Sequence, residues 1–324
     1  MGNAALRDLS IIEEISLSDL EGKVVAVDAH NWLYKYMTIM VRYTDDREYT
    51  KSDGTELPAV LGCIKGIPRF YQHNIVPVFV FDGAYHELKE DEIQERKEKK
   101  QVAQQEYSDK MDDGDIIQAA KYESRSARLT SDMIESVKAL LDILGLEYLE
   151  APQAGETQAA YMTQETPSVY ACASDDYDSL LFGSVNTIRN ITSPDKLERL
   201  PLEATKEELD LTQEELVDVA LLCGTDYNDG IHGYGPKTSV KAVKNGEQED
   251  IFIENDVPYE VLRDLFLNPE VKEVTEVQQT LPNPSVDELQ TFLLEDLEFP
   301  EDSIMPALDK IRDSTEQPGL SEWT

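Results

Sequence analysis

Six acidic side chains stand where a reaction could use them. The apolar run "VVAVD" ends in Asp28, "VFVFD" ends in Asp82, and "YACASDDYD" passes from an apolar stretch into Asp176 and Asp178. Glu156 follows the run "LEYLEAP" after a short turn, and Asp226 follows the helix-like "EELVDVALLCGT". Taken singly, each is an ordinary residue, because Asp caps helices and favours turns after strands. Taken together, acids distant in sequence but gathered at one edge of a sheet repel one another unless cations lie among them. Carboxylates without His or Cys suit hard ions such as Mg2+ or Mn2+. Two such ions roughly 4 Å apart are common apparatus for phosphodiester hydrolysis. A metal-dependent phosphatase with an Asp after its first strand is the nearest rival. It wants a second Asp two places on, and that place holds His30.

These acids need strands that end side by side. Apolar runs predict strands over residues 23–27, in "IVPVFVFDG", in "LEYLEAP", in "SVYACA" and in "NTIRNIT". Between them, "AHNWLYKYM", "PAVLGCIKGIPRFYQHN" (broken near Pro68), "SDMIESVKALLDILG" and "GETQAAYMTQ" read as helices, with Ser131 as an N-cap and Gly145 as a stop. Strands alternating with helices predict an α/β fold with a mostly parallel central sheet and helices on both faces. Ligands in such sheets bind off the carboxyl ends of the strands. From His86 to about residue 128 the chain is charged and helical in pattern. Further on, "TQEELVDVALLCGTDYNDGIHGYGPKTSVKAVKNG" reads as helix, glycine-rich loop, helix. Gly233 and Gly235 would let backbone approach a phosphate at a helix N-terminus. An ordinary loop between helices has the same composition.

The 324 residues suffice for one large domain or two modest ones. Lys and Arg number 29 against 66 Asp and Glu, a formal charge of −37. The acids are spread along the chain, which fits a protein adapted to molar salt, where the screening length is roughly 3 Å. Net charge then says nothing against a nucleic-acid substrate, but contacts must rely on short-range shape, since counterion release contributes little. No stretch has the length and apolarity of a membrane span. "MGNAALRDLSIIEE" lacks the basic start and apolar run of a secretory leader. Cys63, Cys172 and Cys223 lie far apart in apolar runs and read as buried, reduced thiols. The expectation is a cytoplasmic, monomeric protein.

The stretches "VAVDAHNWLY", "PVFVFDG", "EAPQAGETQAAYM", "DDYDSLLFG", "LLCGTDYN" and "GYGPKT" occur in that order. With them the chain resembles the flap endonuclease family of structure-specific 5′ nucleases, in its archaeal, haloarchaeal form. The resemblance implies a helical arch over the active site and a helix–two-turn–helix DNA-binding element. It implies 5′-flap endonuclease and 5′-3′ exonuclease activity on branched DNA, in Okazaki fragment maturation and repair. The implied organisation is a nuclease region over 1–105 with the first part of the arch, an internal nuclease region over 106–260, a helical region over 261–313 and a clamp-binding tail over 316–324. Asp28, Asp82, Glu156, Asp176, Asp178 and Asp226 match family ligands for two Mg2+, with Mn2+ able to substitute, and Asp226 also lies in the DNA-binding element. Lys89 and Arg96, seven apart and so on one helix face, match basic residues at the base of the arch. Gly2, Tyr34, Arg42, Gly224, Gly233, Gly235, Lys237 and Thr238 match DNA contacts, and the glycine loop matches a K+ site. In "EQPGLSEWT", Gln317, Leu320 and Trp323 match the motif that docks on the sliding clamp (PCNA).

Two departures stand out. The family pattern "AP-x-E-x-E" has Ala154 in place of its first acid, with Asp175 as an apparent substitute nearby. Gly66 stands where relatives often carry Arg, with Lys65 and Arg69 beside it. A lost carboxylate implies weaker metal affinity or a slower step. The alternative is a catalytically weakened flap- and junction-binding factor that recruits to the clamp.

Overall fold

The structure is a computed structural model and describes residues 4–83 and 129–316. Helix Ala4–Leu9 (α1) leads to the short strand Glu13–Glu14 (β1). Val24–Asp28 (β2) is buried at every residue, as a strand covered on both faces must be. Asp28 then caps helix Ala29–Tyr43 (α2), its carboxylate accepting from the Asn31 amide. Pro58–Gly66 (α3) and Pro68–Gln72 (α4) are separate helices divided at Ile67, since Pro68 opens a new first turn. Val76–Phe81 (β3) is again wholly buried.

Beyond the undescribed segment come Ser131–Leu144 (α5), Tyr148–Glu150 (β4), Gly155–Glu165 (α6), Val169–Ala173 (β5), Asn186–Arg189 (β6) and Glu198–Pro201 (β7). The helices Leu202–Leu209 (α7), Gln213–Cys223 (α8), Pro236–Lys244 (α9), Gln248–Glu254 (α10), Tyr259–Leu267 (α11), Val286–Thr291 (α12) and Glu301–Glu316 (α13) follow. The N-cap of α5 is Thr130, whose hydroxyl accepts from the Met133 amide; Ser131 is the first helical residue instead. Gly145 ends that helix in the left-handed region, as expected.

The seven strands form one sheet in the order β1-β7-β6-β5-β2-β3-β4. The five strands read from the sequence are the parallel ones, β6, β5, β2, β3 and β4. The other two, β1 and β7, add an antiparallel edge. Their sequences, "EE" and "ERLP", carry no apolar alternation, and an ion pair between Arg199 and Glu13 ties them together.

Alternate residues of the central strands face opposite layers. Val25, Val27, Phe79, Phe81, Ala171 and Ala173 join a core with Leu33 and Met37 of α2, Ile64 of α3, Leu140 of α5 and Ile311 of α13. Val24, Ala26, Val78, Val80 and Cys172 face the other way, onto Ala159 and Met162 of α6. A third cluster gathers α8, α9, α10 and α11 around Leu221, Ala242, Phe252 and Phe266. Cys63 and Cys172 are buried free thiols as expected, but Cys223, at the end of α8, is only half-buried.

Candidate active site

Strand register brings the acids to one edge. In the parallel pair β2–β5, Val27 is level with Ala173, so one step further sets Asp28 beside Ser174. In β2–β3, Asp28 is level with Val80, so Asp82 reaches two residues beyond. The Ser174 hydroxyl lies 3.4 Å from Asp28 Oδ2 and 3.4 Å from Glu156 Oε1. The same oxygen accepts the Asp176 amide at 3.2 Å, and Asp176 Oδ1 accepts the Asp178 amide at 3.2 Å. Ser174 therefore joins Asp28, Glu156 and the Asp176–Asp178 loop. Asp28, Glu156 and Asp178 are 7 %, 9 % and 4 % exposed, so their charges are held largely out of water. Burial drives the Cys172 thiol well above its usual range, and the negative charges of Glu156 and Asp28 add to that shift.

Helix α6 brings Glu156 to this edge by a close approach. Asp82 Oδ1 accepts the Gly155 amide at 2.7 Å, so the carboxylate that follows β3 serves the first amide of the helix. A Cβ on Gly155 would lie 2.5 Å from the Val80 carbonyl oxygen, and only glycine permits that contact. Ala154 is the N-cap, extended and without a side-chain cap bond. His30 Nδ1 accepts the Asp82 amide at 3.1 Å. The same nitrogen lies 3.6 Å from Asp82 Oδ2.

Asp175 points elsewhere. It is ion-paired with Lys35, and its Oδ1 accepts the Asn190 amide at 2.7 Å. It does not replace the acid missing at 154. Burial, then the Arg189 guanidinium, push the Lys35 amine down to about 8.

Asp226 sits on the turn after α8, next to Gly224 (φ 103°) and the Thr225–Asn228 bridge. Gly233 has φ 91°, and Gly235 is the N-cap of α9, whose first turn carries the exposed Lys237 and Thr238. Tyr34 is 46 % exposed on α2, and the Arg42 guanidinium lies 5.9 Å from the centre of the Tyr43 ring. Gly66 is at a helix crossing: a Cβ there would meet Tyr36 at 2.5 Å, so an arginine has no room. Lys65 approaches Glu48 at 3.8 Å and Arg69 donates to the Ile191 carbonyl, so both basic neighbours have partners within the fold. Gly2, Lys89, Arg96, the arch, Gln317, Leu320 and Trp323 lie outside the described residues.

Ser174, the hub of the cluster, and Arg189 were not singled out in the sequence. The available signal for Ser174 was its place as the first residue beyond a buried strand, beside three acids.

Among the described residues no three His, Cys, Asp or Glu side chains form a ready-made cage for an ion. The all-oxygen set around Ser174 fits a hard cation that keeps part of its water and takes one or two carboxylates directly, as Mg2+ does. It does not fit a soft ion, for which imidazole or thiolate would be expected.

The XPG N-terminal domain family matches residues 3–103 and the XPG I-region family matches residues 145–226. Flap endonuclease 1 of Halobacterium salinarum is 43 % identical over 100 % of both chains. The chain belongs to the flap endonuclease family. The solved flap endonuclease-1 from Methanococcus jannaschii is 31 % identical, with a TM-score of 0.73 over 98 % of each chain. The catalytic core of Rad2 in complex with DNA substrate shares the fold, with a TM-score of 0.72 at 23 % identity over 96 % of this chain and 100 % of that one. All six acids of this flap endonuclease family member fall within the two matched regions.

Proposed function

We propose that the chain is a structure-specific DNA nuclease that cuts at 5′ flaps in replication and repair. The observation that carries this reading is the buried carboxylate cluster around Ser174, in a chain sharing 43 % identity over full length with a flap endonuclease 1. Asp28, Glu156, Asp176 and Asp178 would hold two divalent ions, Mg2+ foremost, with Asp82 and Asp226 completing the set. When bound, such ions stabilise charge on the scissile phosphate and provide a nucleophile at neutral pH.

The protein's own part is to orient and bind. Tyr34 stacks on a substrate base, and Lys89 and Arg96 offset charge on the phosphate. The amides at the start of α9, with Gly233, Gly235, Lys237 and Thr238, grip the duplex backbone, so shape rather than base sequence is read. Gly2, Arg42 and Gly224 contribute to DNA binding, and the glycine loop would hold K+. Gln317, Leu320 and Trp323 dock a monomer on the sliding clamp.

The test is a labelled 5′-flap substrate with Mg2+ in molar KCl. Cleavage releases the flap, and Asp176→Ala abolishes release; undiminished cleavage by that variant rules out the site assignment. Ala154→Glu decides how much the missing carboxylate matters. A rise in rate or Mg2+ affinity marks a weakened enzyme, whereas binding without cleavage in both chains favours a junction-binding factor.

A further inference from the structure

Residues 174–178 divide by alternation into two sets. Ser174, Asp176 and Asp178 are linked to one another and, through Ser174, to Asp28 and Glu156. Asp175 and Tyr177, between them, are both held by Arg189, the last residue of β6. Arg189 Nε donates to the Asp175 carbonyl oxygen at 3.0 Å. Its guanidinium carbon lies 3.9 Å from the centre of the Tyr177 ring, and Nη1 bonds the Tyr177 hydroxyl. Nη1 also donates to Glu198 at 2.7 Å, the residue level with Arg189 on β7. Lys35 and the Asn190 amide hold the Asp175 carboxylate from the remaining sides.

We propose that Arg189 is a positioning residue. By pinning Asp175 and Tyr177 it fixes the backbone of the loop so that the intervening Asp176 and Asp178 present their carboxylates to the ions. Arg189 acts through its protein partners Asp175, Tyr177 and Glu198. The antiparallel edge, through Glu198, thereby braces a site built on the parallel half of the sheet. An arginine is needed because one planar fork must meet a carbonyl, a phenol and a carboxylate while stacking on a ring; a lysine ammonium cannot span them. The inference rests on the reading of Asp176 and Asp178 as metal ligands.

The experiment uses the full chain in molar KCl, with Mn2+ titrated and its free fraction read by electron paramagnetic resonance, alongside flap cleavage. Arg189→Met is expected to weaken Mn2+ binding about tenfold, in the range found for residues that orient metal ligands. It should lower kcat while leaving KM for flap DNA within about twofold. Arg189→Lys is expected to behave like Arg189→Met. A purely structural role would lower Tm but leave Mn2+ affinity intact well below it. Should Arg189→Met not fold, Lys35→Met, which removes one of the two partners of the Asp175 carboxylate, is expected to weaken Mn2+ binding about threefold on the same reasoning. Wild-type Mn2+ affinity in a folded Arg189→Met, or in Lys35→Met where the first does not fold, overturns the proposal. Asp176→Ala separates the two readings. If it leaves Mn2+ binding and cleavage unchanged, the metal-site reading fails; if it abolishes both while Arg189→Met matches wild type, only the positioning role fails.

Discussion

The strand-end cluster and the glycine loop before α9 are built on opposite plans. The cluster is buried, made of side chains, and cross-linked through Ser174, Asp82 and the Arg189 brace. The loop is exposed, made largely of backbone, and carries its one lysine of the first turn in the open. The difference follows from what each is proposed to hold. Small hard ions need carboxylates fixed to within a fraction of an ångström. A duplex backbone is a repeating line of phosphates that amides and a mobile cation can meet with tolerance.

Substitutions that strike one plan and spare the other test this contrast. The largest effect belongs to Glu156→Ala, which removes a buried oxygen donor. Flap cleavage is expected to fall at least about 100-fold with DNA affinity nearly unchanged, measured by single-turnover kinetics and by anisotropy without metal. Next is Gly155→Ala, whose new Cβ must displace the Val80 carbonyl now 2.5 Å away. It should cost about 2 kcal/mol in denaturant unfolding, the scale of overpacking a tight contact. Ser174→Ala deletes the hydroxyl shared by Asp28 and Glu156, and Mg2+ affinity is expected to drop about tenfold at little cost in stability. Lys237→Ala is the smallest: flap binding weakens about threefold, evenly across DNA sequences, with kcat unchanged. An effect of Lys237→Ala on kcat larger than that of Ser174→Ala would break the contrast.

Ala154 and Gly66 show that departures from a family pattern have different physical weight. At Gly66 the backbone of α3 packs so closely on α2 that no side chain fits, and its basic neighbours are held by Glu48 and the Ile191 carbonyl. At Ala154 the N-cap of α6 makes no side-chain cap bond, and Asp82, just past β3, accepts the following amide. Asp175, the apparent substitute, is committed to Lys35.

Apolar runs were enough to mark the five parallel strands, most plainly β2 and β3, since a strand buried at every residue is legible without any partner. The acids that end those runs, and the helix–loop–helix that carries Asp226, were legible for the same local reason. The antiparallel edge was not: "EE" and "ERLP" are strands only because each finds the other, in the register Glu13–Arg199 and Glu14–Glu198. Nor could one chain of letters tell Asp175 from Asp176. Their type and neighbourhood are nearly the same, and their fates part because they lie on a bend beyond β5, where each meets a different set of partners. The Asp176 amide meets the Ser174 hydroxyl, whereas Asp175 gives its carboxylate to Lys35 and its carbonyl to Arg189, and those partners are brought there by α2 and β6. Local residue chemistry thus determined which groups were available. Only the packing of distant elements decided which of them meet.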